Sequence, residues 1–215
     1  MYIAPADATF GETEWRAFVE SHPFGHLVAS GRDRLVPVVV PTPFVLDAAT
    51  VHLHLVRANP VFAALAENPR VLLSVAGDWT HIPSSWKAIE GEDPRLGIPT
   101  TYYGAVQLTG TATVIDQRDG HRVAPLLRRQ LEAFQPEVDI ADPEVVHEKA
   151  LGAILGITIA VDEIRAKFKY GGNVDVDHRL AIAERLEARL GPGDLAAAAH
   201  LRRRIEVVAP QGSPE

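Results

Sequence analysis

His52-Leu53-His54-Leu55-Val56-Arg57-Ala58-Asn59-Pro60 begins as an alternating strand and ends at a helix start, with an arginine at the junction. Asn59 suits a helix N-cap, Pro60 suits the first helical position, and Val61-Phe62-Ala63-Ala64-Leu65 continues in helix formers. Two readings fit the stretch. One is a capped strand-to-helix turn with a surface arginine. The other is an anion site, because a helix N-terminus presents unpaired N–H groups and Arg57 adds a forked, permanently charged donor suited to phosphate.

Working outward, the first half reads as strands. A helix over Thr9–Ser21 precedes a strand at His26–Ser30, and the valine-rich run Leu35–Leu46 is interrupted by Pro37, Pro41 and Pro43. Proline cannot donate to a ladder, so that run belongs at an edge or is broken by a bulge. Thr50–Arg57 is the third strand and Pro60–Glu67 a short helix. Val71–Gly77 is apolar enough to be a strand buried on both faces. Asp78–Thr101 is polar and irregular with two tryptophans, the kind of long loop that is usually functional, and Ala105–Val114 alternates cleanly as a strand. In the second half, helices are expected over Gln117–Phe134 and Pro143–Ala153, a β run over Leu155–Lys169, and helices over His178–Leu190 and Asp194–Arg204. Strands first, then helices inserted before the last strand and appended after it, predict an α+β protein: an antiparallel barrel with peripheral helices.

The chain has 215 residues, 47% hydrophobic and 23% charged, enough for a sizeable core. One domain is expected over 1–190, followed by a C-terminal helix and tail over 191–215. No cysteine is present, which excludes disulfides, thiolate metal sites and cysteine nucleophiles. The net charge of −7 weighs against broad DNA binding. Apolar runs are too short to cross a bilayer, and Met1-Tyr2-Ile3-Ala4-Pro5 has no basic lead into an apolar segment. A cytoplasmic location without membrane association is the expectation.

Several segments carry a family resemblance. Met1–Pro5, His22-Pro23-Phe24-Gly25-His26-Leu27-Val28, His54–Pro60, Ile82-Pro83-Ser84-Ser85-Trp86, Ile98-Pro99-Thr100, and Ile164–Lys169 with Asn173 occur in the order seen in the PaiB-like family. The chain resembles these FMN-binding negative transcriptional regulators, of the split-barrel group that includes pyridoxamine-phosphate oxidase, from residue 1 to about 190. It departs from the family pattern at His81–Lys87, Pro99–Tyr103 and Lys169–Asn173, which bears on the ligand more than on the fold. The resemblance implies a split β-barrel homodimer holding FMN between subunits. The matched segments give a cofactor-contact set of His54, Arg57, Asn59, Ser84, Ser85, Trp86, Lys87, Thr100, Thr101, Tyr102, Tyr103, Lys167, Lys169 and Asn173. Arg57 and the Asn59 helix start suit the phosphate. The hydroxyls and Lys87 suit the ribityl chain and ring edge, and Trp86, Tyr102 and Tyr103 suit the isoalloxazine wall, with core packing the competing role for Trp86 and Tyr103.

The remaining chemistry is sparse. His52 and His54 share a strand face and His81 follows, but no third ligand has a spacing that fixes a metal, so no metal is expected. Haem needs a single axial histidine and stands as an alternative cofactor. Lys167 and Lys169 flank Phe168 as an exposed strand face would. Gly171-Gly172-Asn173 with Asp175, Asp177, His178 and Arg179 reads as a turn and helix cap. Arg202-Arg203-Arg204 suits helix packing or dimerisation better than a nucleic-acid arm, and the Pro210–Glu215 tail reads as disordered. Walker, dinucleotide, nucleophile-elbow and zinc-protease motifs are missing. The expected function is a flavin-dependent oxidoreductase or flavin carrier acting on a small molecule. The alternatives are a ligand-sensing transcriptional regulator or a haem-binding split-barrel protein.

Overall fold

Three prolines set the edges of the sheet. They divide the run from 35 to 47 into β2 (Val38–Pro43) and β3 (Val45–Asp47), which follow α1 (Glu12–Ser21) and β1 (Phe24–Ala29). Next come β4 (Thr50–Val56), α2 (Val61–Glu67), β5 (Arg70–Ile82), α3 (Ser84–Lys87) and β6 (Thr100–Ile115). The chain ends through α4 (Ala124–Phe134), α5 (Pro143–Val146), α6 (Glu148–Leu151), β7 (Ile154–Lys169), α7 (Val176–Arg189) and α8 (Asp194–Val208). This computed structural model describes residues 1–88, 93–119, 123–146 and 148–208. The tail expectation for Pro210–Glu215 lies outside them, as do residues 120–122 and 147 of the two inserted helices.

The seven strands form one sheet in the order β2-β1-β5-β6-β7-β4-β3, so both halves of the proline-broken run are edge strands. Pro41 and Pro43 lie in β2, which pairs with β1 alone, and their missing N–H groups interrupt no second ladder. Phe44, 1% exposed, separates β2 from β3, and its N–H donates to the Pro23 carbonyl at 3.0 Å. The pairs β1–β2, β1–β5, β3–β4 and β4–β7 are antiparallel.

The chain divides into two compact units. One comprises Arg16–Val75 and Val106–Arg165; the other comprises Met1–Trp15, Ala76–Ala105 and the described residues from Ala166 on. In the first, Leu27, Val51, Leu53, Leu73, Leu108, Ile157 and Ile159 are fully buried. Val123, Ala124 and Leu151 form an adjoining cluster with Ile115, Leu127 and Ile154. In the second, Ile182, Ala183 and Leu186 of α7 and Ala197, Ala198 and Leu201 of α8 are buried, as the two helices pack together through the turn at Leu190–Gly193.

Several boundaries differ from the sequence reading. β5 runs on to Ile82 and β6 starts at Thr100, because inward positions continue among residues that look polar: in β5 they shift from odd to even numbers after Val75, to Thr80 and Ile82, and in β6 Tyr102 and Gly104 are inward. The expected loop at 78–101 is therefore strand at its two ends, 78–82 and 100–101, with α3 and a short 3-10 turn at Pro94–Leu96 between them. Nor is the segment from 71 to 77 buried on both faces; Val71, Leu73 and Val75 are buried while Ala76 is exposed. Of the helix expected over 143–153, the described residues Pro143–Val146 and Glu148–Leu151 are helical. Among the described residues no helix is long and apolar enough to cross a membrane.

Candidate functional site

The residues Ser84, Ser85, Trp86, Lys87, Thr100, Thr101, Tyr102, Tyr103, Lys167, Lys169 and Asn173 all belong to the second unit. β5 ends at Ile82 and Pro83 turns the chain into α3, which carries the first four of them. Trp86 is half-buried beneath the Arg189 guanidinium, 4.7 Å from the ring centroid, in a cation–π contact. Arg189 is itself held in place. It donates to Asp194 from Nε (2.8 Å) and Nη2 (2.6 Å), to Thr80 Oγ1 (2.7 Å) and to the His81 carbonyl (3.0 Å). Asp194 has no exposed side-chain surface and also accepts from Thr80 Oγ1 (2.5 Å) and the Gly191 N–H (2.7 Å). Those donors, the Arg189 side chain foremost, hold its carboxyl down at about 2.

Strand alternation splits the tyrosines. Tyr102 and Gly104 point inward while Thr101 and Tyr103 lie on the other face. Tyr102 is 1% exposed, and burial pushes its phenol up to about 12. Tyr103 meets Lys167 Nζ 5.6 Å from its ring centroid. Lys167 is not the solvated lysine that its position beside Phe168 suggests. It is 8% exposed, because the N-terminal segment covers that end of β7: Nζ donates to the Tyr2 carbonyl at 3.1 Å and lies 3.6 Å from Asp7, and Ala8 bridges to Lys167. Lys169 is half-buried and Asn173 exposed in the turn before α7.

That turn seats the most unusual feature of the unit. Gly171 has φ +71°, and a Cβ there would collide with the Tyr102 hydroxyl. Asp175 caps α7 by accepting from the His178 N–H at 2.8 Å. Among the described residues four buried side-chain polar atoms lack a hydrogen-bond partner: Tyr102 Oη, Tyr170 Oη, His178 Nε2 and Arg179 Nε. Arg179 is 6% exposed, and its guanidinium makes no ion pair or hydrogen bond among the described residues. Lys87 is depressed by burial, with Asp175 opposing and Lys169 adding to the effect. His178 is likewise depressed by burial and by Lys87, against the pull of Asp175.

His54, Arg57 and Asn59 belong to the first unit. Arg57 is engaged within the chain: its two terminal nitrogens donate to the two Asp116 oxygens, Nη2 at 2.8 Å to Oδ1, and Nε donates to the Gly152 carbonyl at 3.1 Å. The Arg57 side chain holds the Asp116 carboxyl down at about 2. α2 starts one residue later than expected, at Val61, whose N–H donates to Asn59 Oδ1 at 3.0 Å. The asparagine therefore caps the turn as its type suggests. His54 Nδ1 lies 2.6 Å from Gln130 Oε1.

Sequence reading gives no role to Asp116, Gln130, Asp7 or Asp194. Each reaches its partner from tens of residues away or across a turn with no motif, so only the tertiary structure reveals it. His178 and Arg179 read as cap residues, and their exposure and missing partners have no signature in one sequence. Arg204 is a packing residue as expected: it is 4% exposed, donates to Glu14 (2.5 Å) and the Ala8 carbonyl (2.8 Å), and covers Phe10.

Comparison with known proteins places this geometry in context. A family model described as "Putative FMN-binding domain" matches residues 1–163. "Protease synthase and sporulation protein PAI 2" of Bacillus subtilis (strain 168) is 24% identical over 189 residues, covering 86% of this chain and 87% of that protein. An FAD- and haem-binding protein from Mycobacterium smegmatis shares the fold with a TM-score of 0.58 at 20% identity, over 81% of this chain and 79% of that one. The flavocytochrome Anf3 from Azotobacter vinelandii does so with a TM-score of 0.57 at 20% identity, over 81% and 74%. The α+β split-barrel class expected from the sequence holds.

Proposed function

The chain belongs to the FMN-binding domain family, and on that premise we propose that it binds FMN and acts as a flavin-dependent oxidoreductase or flavin carrier on a small molecule. The observation that carries the reading is the set of buried, unpartnered polar atoms gathered in the unit that also holds eleven of the fourteen expected contact residues. A buried polar group without a partner costs about 1–3 kcal/mol, so a cluster of them fits a polar, anionic ligand. Ser84, Ser85, Thr100 and Thr101 supply hydroxyls for a ribityl chain and ring edge, and Trp86 and Tyr103 supply flat apolar surface. Bound flavin provides the redox chemistry; the chain's part is to bind, orient and shield it. The assembly proposed with this function is a homodimer. Leu35, Val36 and Val39, on and before edge strand β2, are exposed apolar side chains that an interface between copies would cover.

The test is optical. Purified chain titrated with FMN is expected to quench flavin fluorescence to saturation and to retain a flavin spectrum through gel filtration. A Soret band in place of flavin bands would favour haem, and a chain that takes up neither would refute the cofactor reading. A gel shift on DNA that weakens steeply with salt would instead support the regulator alternative.

A further inference from the structure

Arg179 is buried with its Nε lacking a hydrogen-bond partner among the described residues. An arginine buried to this degree is ordinarily paired, because an isolated buried charge costs several kcal/mol. Asp175, four residues before it, already caps α7, its oxygen accepting from the His178 N–H, and Asp177 stands in the first turn of the same helix. The Arg179 stem lies against Gly171, where the unpartnered Tyr102 hydroxyl also points. His178, one residue earlier in the first turn of α7, has its Nε2 without a partner among the described residues, while its ring also interacts with the Trp86 backbone. Lys169 is close enough to Lys87 to lower its affinity for a proton, and Arg185 acts on His178 in the same sense. Among the described residues the acids acting on this group are Asp175 and, on Tyr102, Asp7, which is paired with Lys167. Among the described residues Lys87, Lys169, Arg179 and Arg185 thus outnumber Asp175 and Asp177, beside the positive end of a 14-residue helix.

We infer that Arg179, Tyr102 and His178, with Lys87 and Lys169, form a site for a phosphate-monoester dianion. A carboxylate would satisfy the guanidinium fork alone. A tetrahedral dianion also gives the tyrosine hydroxyl and the lysines acceptors, and matches the surplus of charge. The inference deepens the flavin reading and rests on it for one of two sources: the phosphate of FMN, or that of a separate phosphorylated ligand. Arg57, bonded to Asp116 and Gly152, is then not required to hold the phosphate.

The experiment uses the full chain with FMN, riboflavin and inorganic phosphate at constant ionic strength, read by flavin fluorescence and by thermal unfolding. Phosphate is expected to raise the unfolding midpoint of the ligand-free chain. Phosphate that competes with FMN, together with FMN binding about tenfold or more above riboflavin, assigns the site to the cofactor. Phosphate that adds to FMN binding assigns it to a second ligand. In either case Arg179→Gln and Lys169→Gln should each weaken the phosphate effect by about tenfold. Should Arg179→Gln fail to fold, Lys169→Gln and Tyr102→Phe decide the matter. The inference is overturned if phosphate has no effect, or if its effect is unchanged in these variants. Flavin binding that ignores phosphate overturns the site and leaves the flavin reading standing. Failure of both flavins to bind, with a phosphate effect that Arg179→Gln abolishes, does the reverse.

Discussion

Replacing Asp194 with asparagine removes one charge and leaves the side-chain volume nearly unchanged. Asp194 is fully buried and accepts from Arg189, Thr80 and Gly191. Its carboxyl is held at about 2 against an ordinary value of 3.8, and at about 1.4 kcal/mol per pH unit the difference corresponds to about 2 kcal/mol. The sign follows from the depressed value. The stabilisation is fully present above 3.8 and is lost as pH falls through about 2. Linkage puts it at about half by pH 3. The asparagine variant cannot titrate here, so urea unfolding should show it about 2 kcal/mol less stable at neutral pH, with the gap narrowing to about half at pH 3. For a chain of this size that is a fall in Tm of about 4–8 °C at neutral pH. A gap of constant size from neutral pH to pH 3 would show that the variant acts through packing. No gap at all would show that the network contributes no net stability.

Arg57→Ala and Asp116→Ala should each lower stability, with a coupling of about 1 kcal/mol in a double-mutant cycle, since the pair is bidentate but partly exposed. Arg57→Ala should also keep any preference for FMN over riboflavin, and its selective loss would return the phosphate to that arginine. Gly171→Ala should cost about 1–3 kcal/mol in a thermal melt, because φ is +71° and the new methyl meets the Tyr102 hydroxyl. Adding Tyr102→Phe should recover part of that loss, and no recovery would place the strain wholly in the backbone. Tyr102→Phe alone should stabilise the ligand-free chain by about 1 kcal/mol by removing an unsatisfied buried hydroxyl. Destabilisation of that variant would show that the hydroxyl has a partner.

Elements whose determinants are local were legible in the sequence. The strand and capped turn at 50–61 and the α7–α8 hairpin follow from period, cap and turn residues. The proline-broken run was recognisable as an edge or bulged strand, though not that its two parts sit at opposite ends of the sheet. Where the reading failed, tertiary contact overrode local pattern. Lys167 looks solvated until residues 2–8 are laid over it, and the polar stretch at 78–82 is a strand because its inward positions are filled. The same limit applies to the site. Matched segments pointed to Arg57, Tyr102 and Lys169 as residue types, but whether an arginine is bonded to a distant aspartate or buried alone depends on three-dimensional neighbours.

The division of the chain into two units has a consequence for how it can be taken apart. The boundaries at 15/16, 75/76, 105/106 and 165/166 fall inside α1, β5, β6 and β7 respectively, never in a loop. No single cut therefore frees a piece able to fold alone, as it would in beads joined by a tether. A protease nicking an exposed connection leaves fragments that each lack parts of both cores. Such interleaving favours contacts distant along the chain, so folding is expected to be slow and synthesis on the ribosome to yield little finished structure until β7 has emerged.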